Sequence, residues 1–182
     1  MKENFLTGPL CSSIDLIVKK IFPVFFPAPI STFATMQTVE VRIINTSTNS
    51  LPSYATEGSA GMDIRANLDK PVILEPLERY MVPTGLFIEL PDGYEAQVRP
   101  RSGLAINQGI TCLNSPGTVD SDYRGELKVI LINLDKVAHE IKHGDRIAQM
   151  IIAKTERAEF IQVQELNGSV RNTGGFGHTG IK

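Results

Sequence analysis

The sequence predicts an all-β fold of the sandwich, jelly-roll or barrel kind. Short runs alternate apolar and polar residues with the period of a strand. Proline- and glycine-containing turns separate these runs at close intervals. No long segment carries a helical apolar period, and there is no internal repeat.

The elements follow in order. Residues 38–44 put Val39, Val41 and Ile43 on one face and Glu40 and Arg42 on the other, the pattern of a half-buried strand. A polar, proline-containing loop spans 45–56. Strands are expected at 62–66, 72–74, 80–82, 86–90 and 94–98, divided by Pro71, Pro76, Pro83 and the turn Pro91-Asp92-Gly93. A short helical turn fits 102–107. Further strands are expected at 110–112, 127–134, 147–153 and 158–166. From 167 the chain is polar and glycine-rich, too poor in apolar residues to add core, and reads as a flexible arm.

The first 35 residues differ from the rest. Residues 14–30 are apolar, but Lys19 and Lys20 interrupt the run, and Pro23, Pro27 and Pro29 break any helix. A secretory signal would place its basic residues before the apolar run. Residues 1–35 are therefore expected to be a disordered or loosely attached extension. Met36 opens the strand pattern of a β domain over 36–166, and 167–182 form the arm.

With 182 residues the chain suits one domain with modest appendages, and its 42% hydrophobic content is ordinary for a soluble protein. A net charge of −2 gives no general attraction to nucleic acid or to an anionic membrane surface. No apolar run is long enough to span a bilayer. The cysteines, Cys11 and Cys112, lack metal-type spacing, and a reduced intracellular setting, the cytoplasm, is expected.

The densest chemistry lies in 117–129. Asp120 and Asp122 precede Tyr123 and Arg124, with strand-like residues on both sides, and Gly125 suits a tight turn between them. A hairpin is expected there. It would fix a carboxylate able to take a proton from water, beside a ring able to wall a pocket. Taken alone, the stretch also reads as a polar hairpin tip.

Other stretches ask for the same kind of ligand. Asp63 opens a strand behind Gly61 and suits a water held on a hard cation, or a turn cap. Arg101, Ser102 and Gly103 combine a cation, a hydroxyl and backbone amides at the start of a short helix. That arrangement suits a phosphate, or a helix capped by Ser102. Residues 144–149 run from a turn into a strand and carry Arg146 and Gln149. Residues 171–180 are glycine-rich, and Phe176 there has no core around it; stacking on a nucleobase would account for that ring. His139-Glu140-Ile141-Lys142-His143 matches the zinc-peptidase pattern, which works only on a helix. This copy follows a β run and ends at Gly144, so it reads as a chance match.

The stretches 60–64, 100–105, 117–125, 144–149 and 171–180, in this order, resemble the five motifs of the trimeric deoxyuridine triphosphatases (dUTPases). The resemblance covers 36–182 and leaves 1–35 unmatched. It implies a β jelly roll of the dUTPase type forming a homotrimer, with active sites at subunit interfaces closed by a neighbour's C-terminal arm. It implies Mg2+-assisted hydrolysis of dUTP to dUMP and pyrophosphate by in-line water attack on the α-phosphate. The same resemblance makes Asp120 the general base, with Asp122 structural. Tyr123 would pack on deoxyribose, Asn114 and the Thr118-Val119 backbone would form a uracil-binding hairpin, and Lys128 would be a further substrate contact. Arg101, Ser102, Gly103, Arg146 and Gln149 would bind phosphates. Asp63 would hold a water on Mg2+, Arg171 would reach the phosphates, and Phe176 would stack on uracil. Asn172 and His178 depart from the family pattern. A related fold, dCTP deaminase, would need a deaminating acid–base pair, whereas the hydrolase features Tyr123 and Phe176 are present.

Overall fold

The computed structural model describes residues 38–173 and 175, and it is all-β apart from one short helix. The strands are β1 (Arg42–Asn45), β2 (Met62–Arg65), β3 (Val72–Leu74), β4 (Arg79–Pro83), β5 (Leu86–Glu89) and β6 (Tyr94–Arg99). After the helix α1 (Ser102–Gln108) come β7 (Ile110–Cys112), β8 (Gly117–Val119), β9 (Lys128–Asn133), β10 (His139–Ile141) and β11 (Arg146–Lys154). The helix closes at Gly109, which is left-handed with φ 61° and donates back to Ala105 and Leu104.

All pairings are antiparallel. One sheet runs β2-β11-β6-β8, a second β4-β9-β7, and β1 with β5 and β10 with β3 form two-stranded ladders. The alternation seen in the sequence sorts residues between faces. Ile64, Ala96, Val98 and Ile147 point inward from the four-stranded sheet. Val82, Ile110, Val129 and Leu131 meet them from the three-stranded one, in a single apolar cluster. Each Val, Leu or Ile side chain among them contributes about 1.5–3 kcal/mol by leaving water. Asn133, fully buried, is satisfied: its amide donates to the carbonyls of Leu74 and Val137 at 2.8 Å each, and its oxygen accepts from Asp135 N–H.

Three expectations about local structure change. Residues 117–129 are not a hairpin: β8 pairs with β6, whereas β9 pairs with β4 and β7. Alternation identifies a strand but not its partner. Residues 158–166 form no strand, and their side chains are exposed, with no described strand paired to them. The segment 139–141, read only as a peptidase decoy, is a strand on β3. Phe176 and His178, and the extension 1–35, lie outside the described residues.

Candidate functional site

The first group of candidate residues sits on the β2-β11 side of the four-stranded sheet. Asp63, on edge strand β2, faces Gln149 across the ladder, and Gln149 faces Arg99. The chain leaves β6 beyond Arg99 and brings Arg101 to Asp63, with Nε 2.9 Å from Oδ1. From β11, Arg146 reaches the other carboxylate oxygen at 3.1 Å, and Arg101 also donates to the carbonyl of Arg146. A register shift between Arg146 and Ala148 lets the consecutive residues Ile147 and Ala148 both be buried, which a regular pleat forbids. Asp63 thus braces two guanidinium groups that would otherwise repel each other.

Ser102 does not cap its helix. The cap position is Arg101, no side chain bonds the first-turn amides, and Ser102 and Gly103 are exposed. A cleft of about 250 Å³ opens here, in which Arg101 and Arg146 face the carboxylates of Glu140 and Asp145. Outside that cleft, the exposed Ser102 and Gly103 beside Arg101 put a hydroxyl and amide N–H groups next to a cation, which suits a phosphate.

The second group lies around β8. As the outer strand of its sheet, β8 leaves the backbone N–H and C=O of every second residue along Gly117–Val119 on its free side without a ladder partner among the described residues. Asn114 is exposed in the preceding turn, which contains the cis peptide Ser115–Pro116. Asp120 follows β8 and is exposed, and its carboxylate has no hydrogen bond or ion pair to another described residue. Its carbonyl accepts from Tyr123 N–H at 3.2 Å, closing a turn whose tip carries Asp122. The Tyr123 ring folds back over Gly125, where a Cβ would collide with the phenol. Its hydroxyl donates to the carbonyl of Glu126 at 3.0 Å, and the ring remains 45% exposed. Lys128, exposed at the start of β9, has its ammonium 3.5 Å from Glu126.

The two groups do not meet within one chain. The register puts Gln149 and Arg99 in the row of Asp63, while Asp120 continues β8 into the row of Glu95 and Ala153. Four residues along and three strands across, at about 3.3 Å and 4.8 Å per step, separate the two carboxylates by on the order of 20 Å.

Arg171 is exposed in the polar segment after β11. The two histidines of the peptidase-like match do not share a helix face. His139 lies on a strand and contacts Asp135 at 2.9 Å. His143 contacts Thr48 through Nε2 and accepts from Leu68 N–H through Nδ1. No group of three or more metal-ligating side chains occurs among the described residues. No helix among them is long and apolar enough to cross a membrane.

Sequence reasoning missed Glu126 and the turn Thr84-Gly85 that it holds. The only signal was a carboxylate in a strand-like run beside Leu127, too common to single out.

The family model described as dUTPase matches residues 47–180. The deoxyuridine 5'-triphosphate nucleotidohydrolase of Cytophaga hutchinsonii is 57% identical over 143 residues, covering 79% of this chain and 93% of that one. The enzyme of the same name from Fusobacterium nucleatum is 57% identical over 145 residues, covering 80% and 99%. Among solved structures, the Staphylococcus bacteriophage 80alpha dUTPase with dUpNHpp superposes with a TM-score of 0.68 at 25% identity, covering 79% of this chain and all of that one. A point mutant of the dUTPase from phage phi11 of S. aureus, which coordinates a structural Mg(II) ion, shares the fold with a TM-score of 0.64 at 22% identity, covering 71% and 99%.

Proposed function

The chain belongs to the dUTPase family of enzymes, and we propose that it hydrolyses dUTP to dUMP and pyrophosphate at sites shared between subunits of a homotrimer. The observation that carries this reading is the split. The polyanion group around Arg101 and the carboxylate Asp120 sit at opposite corners of one sheet, too far apart to act on one nucleotide from one chain. Closed rotational symmetry brings one corner of a subunit against the other corner of its neighbour.

Arg101, Arg146, Ser102, Gln149 and the Gly103 amide bind the phosphates of dUTP, and Arg171 adds a contact from the arm. The Thr118-Val119 backbone and the Asn114 amide pair with the uracil edge. Unpaired polar groups facing the wrong base make rejection of cytosine strong, and a close wall excludes a 5-methyl group. Tyr123 lies against deoxyribose and leaves no room for a 2'-hydroxyl. Asp120, exposed and without a partner among the described residues, takes the proton of a water lined up on the α-phosphorus. The arm closes over the base through Phe176, and Lys128 contacts the substrate.

Mg2+ fits this residue set only as an ion held mainly by the substrate. Hard cations favour oxygen ligands and retain waters, and the described residues hold no protein cage. Asp63 gives each oxygen to an arginine yet keeps further lone pairs for a bound water. When bound, the ion supplies neutralisation of phosphate charge.

Two features support the trimer. Met81 and Ile130 are register partners on the outer face of the β4-β9-β7 sheet, and Ile132 lies two residues along. Residues 158–166 alternate like a strand yet leave Phe160 94% exposed, as a strand awaiting a neighbour's sheet would. Residues 1–35 lie outside the family match and are dispensable in this account; a chain starting at Met36 that failed to fold or lost activity would refute that. Cytoplasmic dUMP supply for thymidylate, and exclusion of uracil from DNA, complete the proposal.

The test is pyrophosphate release from dUTP, dTTP, dCTP and UTP, with and without Mg2+. Strong preference for dUTP is expected. Ammonia release from dCTP, or tight dUTP binding without hydrolysis, would overturn it.

A further inference from the structure

We propose that Glu126 is a positioning residue that sets the preference for deoxyribose by tying the Tyr123–Lys128 segment to the turn between β4 and β5. The inference rests on the dUTPase reading of the site. Glu126 Oε1 accepts from two successive backbone amides, Thr84 N–H at 3.2 Å and Gly85 N–H at 2.8 Å. Such a pair of amides around one carboxylate oxygen makes a charge-assisted clamp. The other oxygen faces the Lys128 ammonium at 3.5 Å. The Glu126 carbonyl is the acceptor for the Tyr123 hydroxyl.

The turn that receives Glu126 is itself fixed. Thr84 is buried; its hydroxyl donates to the carbonyl of Leu127 at 2.6 Å and accepts from Leu86 N–H. Leu127 N–H donates to the carbonyl of Leu86 at 2.7 Å. Gly85 has φ +71°, and a Cβ there would meet Ser47 at 2.9 Å, so only glycine lets the chain turn its amide toward Glu126. The Gly85 carbonyl accepts from Thr46 N–H at 2.8 Å. The peptide between Glu126 and Leu127 is thus held from its Leu127 N–H side, and the Glu126 carboxylate adds a second anchor that links the core to the half-exposed ring and the exposed ammonium. Without it, Tyr123 keeps its bond to the Glu126 carbonyl, but that peptide is held only through Leu127 N–H and can pivot about this single bond.

The consequence falls on selectivity. A wall that excludes one hydroxyl works only if it stands still, and a displacement of about 1 Å can cost about 100-fold in rate. Glu126→Ala should therefore lower the ratio of kcat/KM for dUTP over UTP by about ten-fold or more. Glu126→Gln keeps an oxygen for both amides and should restore the ratio to within about three-fold of wild type.

The experiment measures pyrophosphate release from dUTP and UTP by the full-length wild type and the two variants, with thermal melting alongside. A reduced ratio in Glu126→Ala that Glu126→Gln recovers supports the proposal. An unchanged ratio in Glu126→Ala, or equal loss in both variants, overturns it. If Glu126→Ala does not fold, Glu126→Asp carries the test: its shorter reach should also lower the ratio, and an unchanged ratio overturns the proposal. A wild type that does not hydrolyse dUTP would instead refute the functional reading, whereas a dUTP-selective wild type with an unaltered Glu126→Ala ratio refutes the Glu126 role alone.

Discussion

Two corners of one sheet carry carboxylates in opposite states. At the β2-β11 side, Asp63 is held through both oxygens by Arg101 and Arg146. At the β8 corner, Asp120 is exposed and unpaired among the described residues. The first corner is an electrostatic scaffold complete within one chain, its arginines braced in place before any anion arrives. The second presents a bare carboxylate beside a ring and an open strand edge. A carboxylate that organises cations is worth more paired, and one that accepts a proton from water is worth more unpaired.

The contrast is broken most severely at the open corner. Asp120→Asn should cut turnover by about 100-fold or more while the melting temperature stays within experimental error, because no described residue relies on that carboxylate. A pyrophosphate assay with a parallel melt reads both. Removal of 167–182 should cripple turnover to a similar degree and leave the assembly intact by light scattering; full activity in the shortened chain would contradict the lid role.

The braced corner should respond differently. Asp63→Ala removes two ion pairs and leaves two guanidinium groups opposed, so it should lower both stability, by about 1 kcal/mol, and the affinity for dUTP. Urea unfolding and KM measure these. Equal stability loss in Asp63→Ala and Asp120→Asn would erase the distinction between the corners.

Cys112, two residues before Asn114, gives a smaller effect with a definite sign. Burial pushes its thiol from the ordinary 9.0 up to about 11. Above pH 9 the unfolded chain gives up this proton while the folded chain keeps it, so stability should fall as pH rises from 9 toward 11. Denaturant melts across that range check it, and Cys112→Ser should flatten the decline. Weakest is the acid side. The hydrogen bond from His139, together with Lys136 N–H, holds the Asp135 carboxyl below its ordinary value. Its contribution is present above the ordinary carboxylate range and fades as pH falls through its lowered value, so Asp135→Asn should slightly reduce the acid dependence of melting.

Strand positions were legible because a period of two marks burial directly; 72–74 and 110–112 match to the residue. Partners were not. The same alternation in 117–119 and 128–133 suggested a hairpin, but β8 joins β6, because pairing depends on contacts distant in sequence. Residues 158–166 look like a strand for the same local reasons, and nothing local reveals that no described strand pairs with them. Candidate residues were nameable from the sequence where they share one stretch, as in 100–105. The bracing of Asp63 by Arg101 and Arg146, 38 and 83 residues away, was not. Nor was the clamp of Glu126 on amides more than 40 residues upstream.

The split site is tested most directly by mixing. Asp120→Asn and Arg101→Ala chains, each nearly inactive alone, would be unfolded together in equal amounts and refolded. If each site takes Asp120 from one subunit and Arg101 from another, random assembly leaves about a quarter of sites intact, and activity should return to roughly that fraction of wild type. Activity no higher than that of the separately refolded variants would contradict the account.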